Sequence, residues 1–89
     1  MPLSKINPTR RFYKDLLNLP PDIQERAWKS IDLLIKDPHH PSLRVKKMQG
    51  MEQIWEGRIS KGYRFTFEIK GDTYILRRVG THDILKKEN

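Results

Sequence analysis

The sequence contains no cysteine, which excludes disulfide bonds, a thiolate nucleophile and sulfur-ligated metal sites. Its amino terminus lacks the apolar stretch of a signal peptide, and no apolar run approaches the length needed to cross a bilayer. Acidic residues are in the minority, since eleven Asp and Glu stand against eighteen Lys and Arg and leave a net charge of +7. We therefore expect a cytoplasmic protein without a membrane partner. Its charge favours polyanions such as nucleic acid, although acidic proteins would fit equally.

The chain is too short for more than one hydrophobic core. Its 89 residues contain 36% apolar side chains, which is enough for a modest core but leaves no room for a second. The sequence shows no internal repeat, low-complexity tract or linker. We therefore expect residues 1–89 to form a single domain.

The amino-terminal half carries two helical patterns. Residues 3–6 can form a short edge strand, and Asn7 or Thr9 can then cap a helix that ends at Pro20. A second helix is expected from Pro21 to the prolines that begin at Pro38. The predicted buried stripes consist of Phe12, Leu16 and Leu19, widened by Tyr13 and Leu17, and of Ile23, Ala27, Ile31, Leu34 and Ile35, with Trp28 at the margin.

The carboxyl-terminal half alternates between apolar and polar residues, which is typical of strands. Residues 54–59, 63–69 and 74–79 predict three strands, whereas residues 42–48 form either a further strand or a partly extended basic loop. Helices followed by a run of antiparallel strands indicate an α+β fold. We expect both helices to pack on one face of a small, mainly antiparallel β-sheet, which leaves the other face available for function.

Two arginines are predicted to face each other on the open face of the first hairpin. With a three-residue loop at 60–62 and Gly62 at positive φ, Arg58 lies opposite Arg64 and Glu56 opposite Thr66. Like charges in directly opposite positions destabilise a sheet by roughly a few tenths of a kcal/mol or more. The pair therefore suggests a site that expects an anion, and the alternative is two solvated arginines on an exposed face.

A third arginine is expected on the same face. A two-residue turn at residues 71–72 continues the alternation into the strand at 74–79. In that register Arg77 shares the polar face with Thr66 and joins Arg58 and Arg64 on the side away from the helices. Convergence of three arginines favours the functional interpretation over the solvated one.

Three short motifs carry a resemblance to a known family. They are Met-Gln-Gly at 48–50 leading to Ile-Trp-Glu-Gly-Arg-Ile at 54–59, Gly-Tyr-Arg-Phe at 62–65, and Val-Gly-Thr-His-Asp at 79–83. Together with length, basic charge and element order, they make nearly the whole chain resemble the RelE/ParE superfamily of toxins. The resemblance implies the toxin half of a type II toxin–antitoxin pair, which a cognate antitoxin neutralises. On the RelE side it implies an endoribonuclease that cleaves mRNA on the ribosome and inhibits translation, with no cofactor.

The resemblance also implies roles for individual residues. Arg64 corresponds to the hairpin arginine of RelE and YoeB, and Arg58 to a basic residue on the preceding strand. His82 corresponds to the histidine near the carboxyl terminus of YoeB and YafQ, where RelE has arginine. Glu56 aligns with an acidic position in YafQ but with a lysine in RelE. The YoeB carboxylate and the terminal tyrosine of several members have no counterpart here, which leaves the identity of the general base open.

Cleavage of RNA by its own 2′-hydroxyl requires a proton acceptor, a proton donor and stabilisation of added negative charge. Arginine suits the last task because its guanidinium stays cationic and can hold two phosphoryl oxygens, so Arg58 and Arg64 are the candidates. His82 is the candidate general acid and Glu56 the candidate base. The alternatives are a tail residue that caps the sheet for His82, and a salt bridge to Arg58 or Arg77 for Glu56.

Other polar residues are candidates for weaker roles. We expect no metal site at His39 and His40, because adjacent histidines in a proline-bracketed loop point apart and no Cys or carboxylate cluster completes a site. Several basic side chains are expected to attract the RNA backbone without reading its sequence, although solvated side chains would give the same pattern. These RNA-binding candidates are Arg44, Lys46, Lys47, Lys61 and Arg77.

The larger aromatic residues are interpreted as core residues and not as platforms for base stacking. Their spacing matches the faces that the helices and strands are expected to bury. The residues concerned are Trp28, Trp55, Phe65 and Phe67.

Two other functions remain open. A ParE-like non-enzymatic inhibitor of DNA gyrase would share this fold but would not need Arg58, Arg64 and His82 together. A basic nucleic-acid binding module unrelated to toxicity is supported by the charge and the small α+β plan alone.

Overall fold

The structure of the chain is a computed structural model that describes residues 5–48, 50 and 53–85. Of these, residues 84 and 85 are described by their backbone alone. The elements follow the order predicted from the sequence, with one additional short helix at the end. They are β1 (Lys5–Pro8), α1 (Arg10–Leu17), α2 (Pro21–Lys36), a 3-10 turn (Pro41–Leu43), β2 (Lys46–Lys47), β3 (Trp55–Ser60), β4 (Tyr63–Lys70), β5 (Thr73–Thr81) and α3 (His82–Leu85). The first half of the strand predicted at 3–6 and residue 49 of the first motif lie outside the described residues.

The five strands form one mixed sheet in the order β1-β5-β4-β3-β2. β1 runs parallel to β5, and the other neighbouring pairs are antiparallel. The two long helices pack against one face of this sheet, so the predicted α+β fold with a mainly antiparallel sheet is confirmed. The segment at 42–48, for which two conformations were left open, begins as the 3-10 turn and ends as the short strand β2.

The core lies between the helices and the sheet. Thr9 caps α1, because its side-chain oxygen accepts a hydrogen bond from the Phe12 backbone N–H at 3.1 Å. Tyr13 and Leu17 are 48% and 74% exposed, so the predicted widening of the α1 stripe was wrong. The helix turns only its Phe12 side toward the sheet, and Trp28 also remains 37% exposed. The buried hydrophobic cluster consists of Phe12, Leu16, Ala27, Ile31, Leu34, Leu43, Phe65, Phe67, Tyr74, Leu76 and Val79.

The first hairpin has the predicted cross-strand pairs but a different turn. Arg58 pairs with Arg64, while Ser60 pairs with Tyr63, which leaves two residues in the turn and a register shift at residue 59. The positive-φ glycines are Gly50 and Gly71, so the predicted three-residue loop with Gly62 at positive φ was wrong. A bulge in β3 absorbs the extra residue instead, and the two arginines still lie opposite each other.

The second hairpin departs from the predicted register half-way along. Its two-residue turn, with Gly71 at φ 59°, is as predicted, and Phe67 pairs with Leu76. Beyond this point the register shifts and Thr66 pairs with Arg78. The predicted register, in which Arg77 lies beside Thr66, was wrong because Arg77 is the extra residue of a β-bulge in β5.

Gly57 allows close packing between β3 and a buried ring. A Cβ atom at this position would lie 2.5 Å from Cζ of Phe65, and Phe65 is 0% exposed and cannot move away freely. We expect Gly57→Ala to lower the free energy of unfolding by about 1–3 kcal/mol, because overpacking forces shifts in a close-packed core. Gly62→Ala is the matched control, since a Cβ there meets nothing within 4 Å. Equal urea midpoints for the two variants would contradict the close contact.

Tyr74 makes the stability of the protein sensitive to alkaline pH. Burial raises the pKa of this phenol, so the folded state holds its proton more firmly than the unfolded chain does. The resulting stabilisation is complete below the ordinary tyrosine pKa of about 10 and is lost as pH rises toward the folded-state pKa. We expect Tyr74→Phe to flatten the decline in unfolding free energy above about pH 10. Tyr13→Phe, at an exposed tyrosine, is the control. If unfolding free energy declined equally with alkaline pH in both variants, the assignment of this decline to Tyr74 would be contradicted.

Candidate active site on the open sheet face

Arg58 and Arg64 lie in one row across the face of the sheet that the two long helices leave open. Arg58 pairs with Arg64 on β4, and Arg64 pairs in turn with Gly80 on β5. Adjacent strands are about 4.8 Å apart, so the two arginine stems begin side by side. Gly80 adds no side chain to the row. The row therefore offers two neighbouring guanidinium groups, with a glycine paired next to Arg64.

The turn of the first hairpin fixes the guanidinium of Arg64. Its Nη1 atom donates hydrogen bonds to the backbone oxygens of Ser60 at 2.8 Å and Tyr63 at 3.0 Å. These bonds use one of its three nitrogens. In the part of the chain that the structure describes, the other two make no hydrogen bond. An anchored guanidinium with an unused edge is suited to bidentate binding of a phosphate.

Arg58 is half-buried and carries its charge without a neutralising partner among residues 5–48, 50 and 53–85. It faces another cation across the ladder. Directly opposed like charges are destabilising, and partial burial reduces the screening by water that would relieve them. The pair is thus arranged so that an anion placed between the two groups would stabilise it.

Glu56 lies on the same strand and face as Arg58 and is 8% exposed. Its Oε1 atom is 3.5 Å from Nζ of Lys46, which is its partner across the β2–β3 ladder. The salt bridge to Arg58 or Arg77 that was the alternative for this residue is not formed. Arg77 instead binds Glu68, with Nη1 and Oε2 2.8 Å apart. Glu56 therefore keeps a single lysine, itself largely exposed, as its ionic partner among the described residues.

His82 lies at the same end of the sheet as the two arginines. It is exposed and begins α3, directly after Thr81, which pairs with Tyr63. This placement brings the backbone of His82 next to the strand end that carries Arg64. The three residues predicted to act on one phosphodiester thus belong to one region of the molecule.

The remaining basic candidates are distributed more widely. Lys46 and Lys47 lie on the edge strand β2, and Lys61 lies in the exposed turn next to Arg64. Arg44 lies elsewhere, at the rim of an apolar cleft of about 470 Å³ on the helix side of the sheet. Its φ of 45° is left-handed, which is uncommon for a residue with a side chain. Residues that line this cleft include Leu34, Pro41, Trp55, Phe67 and Tyr74.

A nearly buried ion pair joins α1 to β5, and the alternation of apolar and polar residues does not predict it. Asp15 accepts hydrogen bonds from the Arg78 guanidinium at 2.7 and 3.1 Å, although 63 residues separate them in the chain. Both side chains are nearly buried, with 13% and 14% of their surface exposed. The only signal was the arginine doublet at 77–78, because consecutive residues of a regular strand cannot both point to its polar face.

No three His, Cys, Asp or Glu side chains among the described residues are grouped so that they could hold a metal ion. Within the same residues, no helix combines the length and the apolar character that a membrane-spanning segment needs.

Known proteins resemble this chain in structure more than in sequence. It matches no family model, and no curated protein matches it significantly. Its fold is similar to that of the RelB–RelE antitoxin–toxin complex from Methanococcus jannaschii, with 27% identity, 91% of this chain and 95% of the other covered, and a TM-score of 0.73. This likeness in fold is the one that the sequence resemblance to the RelE/ParE superfamily predicted. The chain is also similar to Escherichia coli YafQ, with 15% identity, 91% and 96% coverage and a TM-score of 0.76. The RelBE2 toxin–antitoxin complex from Mycobacterium tuberculosis has 25% identity, 89% and 98% coverage and a TM-score of 0.70.

Proposed function

We propose that this chain is the toxin of a type II toxin–antitoxin pair and that it cleaves mRNA on translating ribosomes. The observation that carries the proposal is the Arg58–Arg64 pair on the open sheet face, which has no acidic partner among the described residues. The RelE-type fold supports it, and several similar structures are complexes of a toxin with its antitoxin. The proposal places the protein in the cytoplasm, where translating ribosomes are found, with a cognate antitoxin as its protein partner. A net charge of +7 suits both RNA and an acidic antitoxin.

In the proposed reaction, the 2′-hydroxyl oxygen of the RNA attacks the adjacent phosphorus. The O2′–P bond forms, the P–O5′ bond breaks, and the products are a 2′,3′-cyclic phosphate and a 5′-hydroxyl. Negative charge grows on the non-bridging oxygens in the transition state. Arg58 and Arg64 stabilise that charge, because preorganised cations that are not surrounded by bulk water lose little energy in reorganisation. The turn carbonyls that hold Arg64 contribute to this preorganisation.

Two protons move in this reaction. His82 donates one to the leaving 5′-oxygen, since imidazole is the side chain best suited to proton transfer in the neutral pH range. Glu56 is our candidate acceptor for the proton of the 2′-hydroxyl. It lies on the strand and face of Arg58, whereas Glu68 on the same face is already paired with Arg77. Lys46, Lys47 and Lys61 attract the RNA backbone in this proposal, and Arg77 contributes charge while it binds Glu68. Arg44 lines the cleft on the helix side of the sheet, away from the proposed reaction.

The proposal is tested by induced expression of the chain in a bacterial host. We expect growth arrest together with cleavage of translated mRNAs, mapped as new 5′ ends within coding regions. His82→Gln should abolish the arrest while the purified variant keeps the wild-type melting temperature, because the residue is exposed. Arg26→Ala, which removes an exposed arginine on α2, is the control and should remain toxic.

The competing functions predict different results in the same experiment. Growth arrest with double-strand DNA breaks and intact mRNA would establish a ParE-like gyrase inhibitor instead. The absence of any arrest, from a protein that is folded and soluble, would favour a nucleic-acid binding module.

A further inference from the structure

We propose that Asp15 of α1 is a positioning residue for the arginine row. In this proposal it holds the β-bulge in β5 that sets which residue lies beside Arg64 and where α3 begins. The inference rests on the proposed function, because positioning has meaning only if the row acts on RNA. It concerns a residue on the helix side of the molecule that contacts neither arginine of the row.

The bulge sets the register in which the later residues of β5 pair with β4. Leu76 and Val79 are both 0% exposed although they are three residues apart, which strict alternation along a strand forbids. Between them, Arg77 is the extra residue, so that Arg64 pairs with Gly80. In a continuous ladder each later residue would move by one position. Arg64 would then face the side chain of Val79 and not Gly80.

A continuous ladder would also disturb both faces of the sheet. Arg78 would lie opposite Phe65, which belongs to the core face, and its charge would enter the apolar cluster. The start of α3 would move by one residue relative to β4, and His82 with it. The bulge therefore does two things: it keeps a charge out of the core, and it places the side-chain-free Gly80 in the arginine row.

Asp15 is bound to this bulge at three points. One carboxylate oxygen accepts hydrogen bonds from Nε of Arg78 at 2.7 Å and from the Val79 backbone N–H at 3.2 Å. The other accepts from Nη2 of Arg78 at 3.1 Å. One side chain on a helix thus fixes both the residue that leaves the regular ladder and the backbone of the residue that resumes it.

Thr9 and Thr66 secure the remaining polar groups of the bulge. β1 stops pairing at Pro8, and there the backbone N–H of Thr9 donates to the Leu76 carbonyl at 2.9 Å. The Thr9 hydroxyl donates to the Arg77 carbonyl at 3.1 Å. From the other side, the hydroxyl of the buried Thr66 accepts from the Arg78 backbone N–H at 3.0 Å. Helix α1 thus takes the place of the missing strand along this part of β5.

The test replaces the ion pair by apolar side chains in the double variant Asp15→Leu, Arg78→Met. Such replacement of a buried pair is often neutral for stability, whereas loss of one partner is not. We expect a folded protein that still binds ribosomes but cleaves bound mRNA about 10–100-fold more slowly in a single turnover, because small displacements of reacting groups are costly. The control removes the exposed ion pair of α2 with Glu25→Ala and should leave the rate unchanged.

A positioning role is separated from a general structural one by combining these changes with His82→Gln. If Asp15 acts by placing His82, the double replacement should slow the His82→Gln protein by less than about 3-fold, since effects on one functional unit are not additive. The inference would be overturned if the double replacement slowed cleavage by the same factor in the His82→Gln protein as in the wild type. It would also be overturned if the Asp15→Leu, Arg78→Met protein cleaved at the wild-type rate. Failure of the proposed function looks different, because His82→Gln and Arg64→Ala would then leave cleavage unchanged.

If the double variant does not fold, hydrogen exchange of the backbone amides in the wild-type protein tests whether Asp15 anchors the bulge. Val79 lies beyond the end of β1, and among the described residues its outward N–H is bound by Asp15 alone. Protection equal to that of the β4–β5 ladder amides supports the anchor. Exchange at the rate of an open sheet edge would overturn it.

Discussion

Arg64→Ala should reduce single-turnover cleavage of ribosome-bound mRNA by at least about 100-fold without unfolding the protein. The magnitude follows from the loss of one preorganised cation next to the developing phosphoryl charge, an interaction formed mainly in the transition state. Arg64 is half-buried and its described hydrogen bonds go to the turn carbonyls of residues 60 and 63. Its removal relieves repulsion with Arg58, so stability should be retained or slightly increased.

Arg64→Lys distinguishes geometry from charge at this position. A lysine keeps the cation but cannot donate from a planar fork to two phosphoryl oxygens while a third nitrogen binds the turn. We expect most of the loss in rate to persist in this variant. A rate restored to the wild-type level would show that a point charge is sufficient and would contradict bidentate binding.

Arg78→Ala should have the largest effect on stability, with a loss of about 3–5 kcal/mol in the free energy of unfolding. With Arg78 present the Asp15 side chain is 13% exposed, and the substitution removes its guanidinium partner. Loss of one partner from a nearly buried ion pair lowers the free energy of unfolding far more than formation of the intact pair raises it. Asp15→Ala should also be destabilising, because it removes the two carboxylate oxygens that accept from the Arg78 guanidinium and the acceptor for the Val79 N–H.

The exposed pair between Glu25 and Lys29 provides the comparison. Its side chains are 70% and 74% exposed, so Glu25→Ala should change the unfolding free energy by less than about 1 kcal/mol. Urea denaturation of the three single variants measures the contrast. A small effect of Arg78→Ala, equal to that of the surface variant, would mean that water reaches the Asp15 carboxylate and that the pair does not hold the bulge.

The open face could be predicted from the sequence because alternation is a strong constraint. Arg58 was placed opposite Arg64 even though the turn was wrong, since a bulge in β3 and a third loop residue have the same effect on which residues face each other. The two helices were also predictable, because prolines bound α2 and Thr9 caps α1.

What could not be predicted depends on contacts between distant parts of the chain. The bulge at Arg77 inserts one residue into β5, and its one sign in the sequence is the arginine doublet at 77–78. Its stabilisation comes from Asp15, 63 residues earlier, on a helix whose stripe pattern gives no reason to expect a buried carboxylate. Likewise, Arg44 and Lys46 are two residues apart, but Arg44 has a left-handed backbone and lines the cleft on the helix side, whereas Lys46 pairs with Glu56.

The most direct test of the account is the chemistry of cleavage on a ribosome that holds a defined mRNA. Purified wild-type protein should generate a 2′,3′-cyclic phosphate and a 5′-hydroxyl, and one 2′-deoxy nucleotide at the cleaved position should stop the reaction. Arg58→Ala should slow the same cleavage by about 100-fold with ribosome binding retained. Intact mRNA after incubation with folded wild-type protein, or equal rates for wild type and Arg58→Ala, would contradict the claim that the paired arginines act on a phosphodiester.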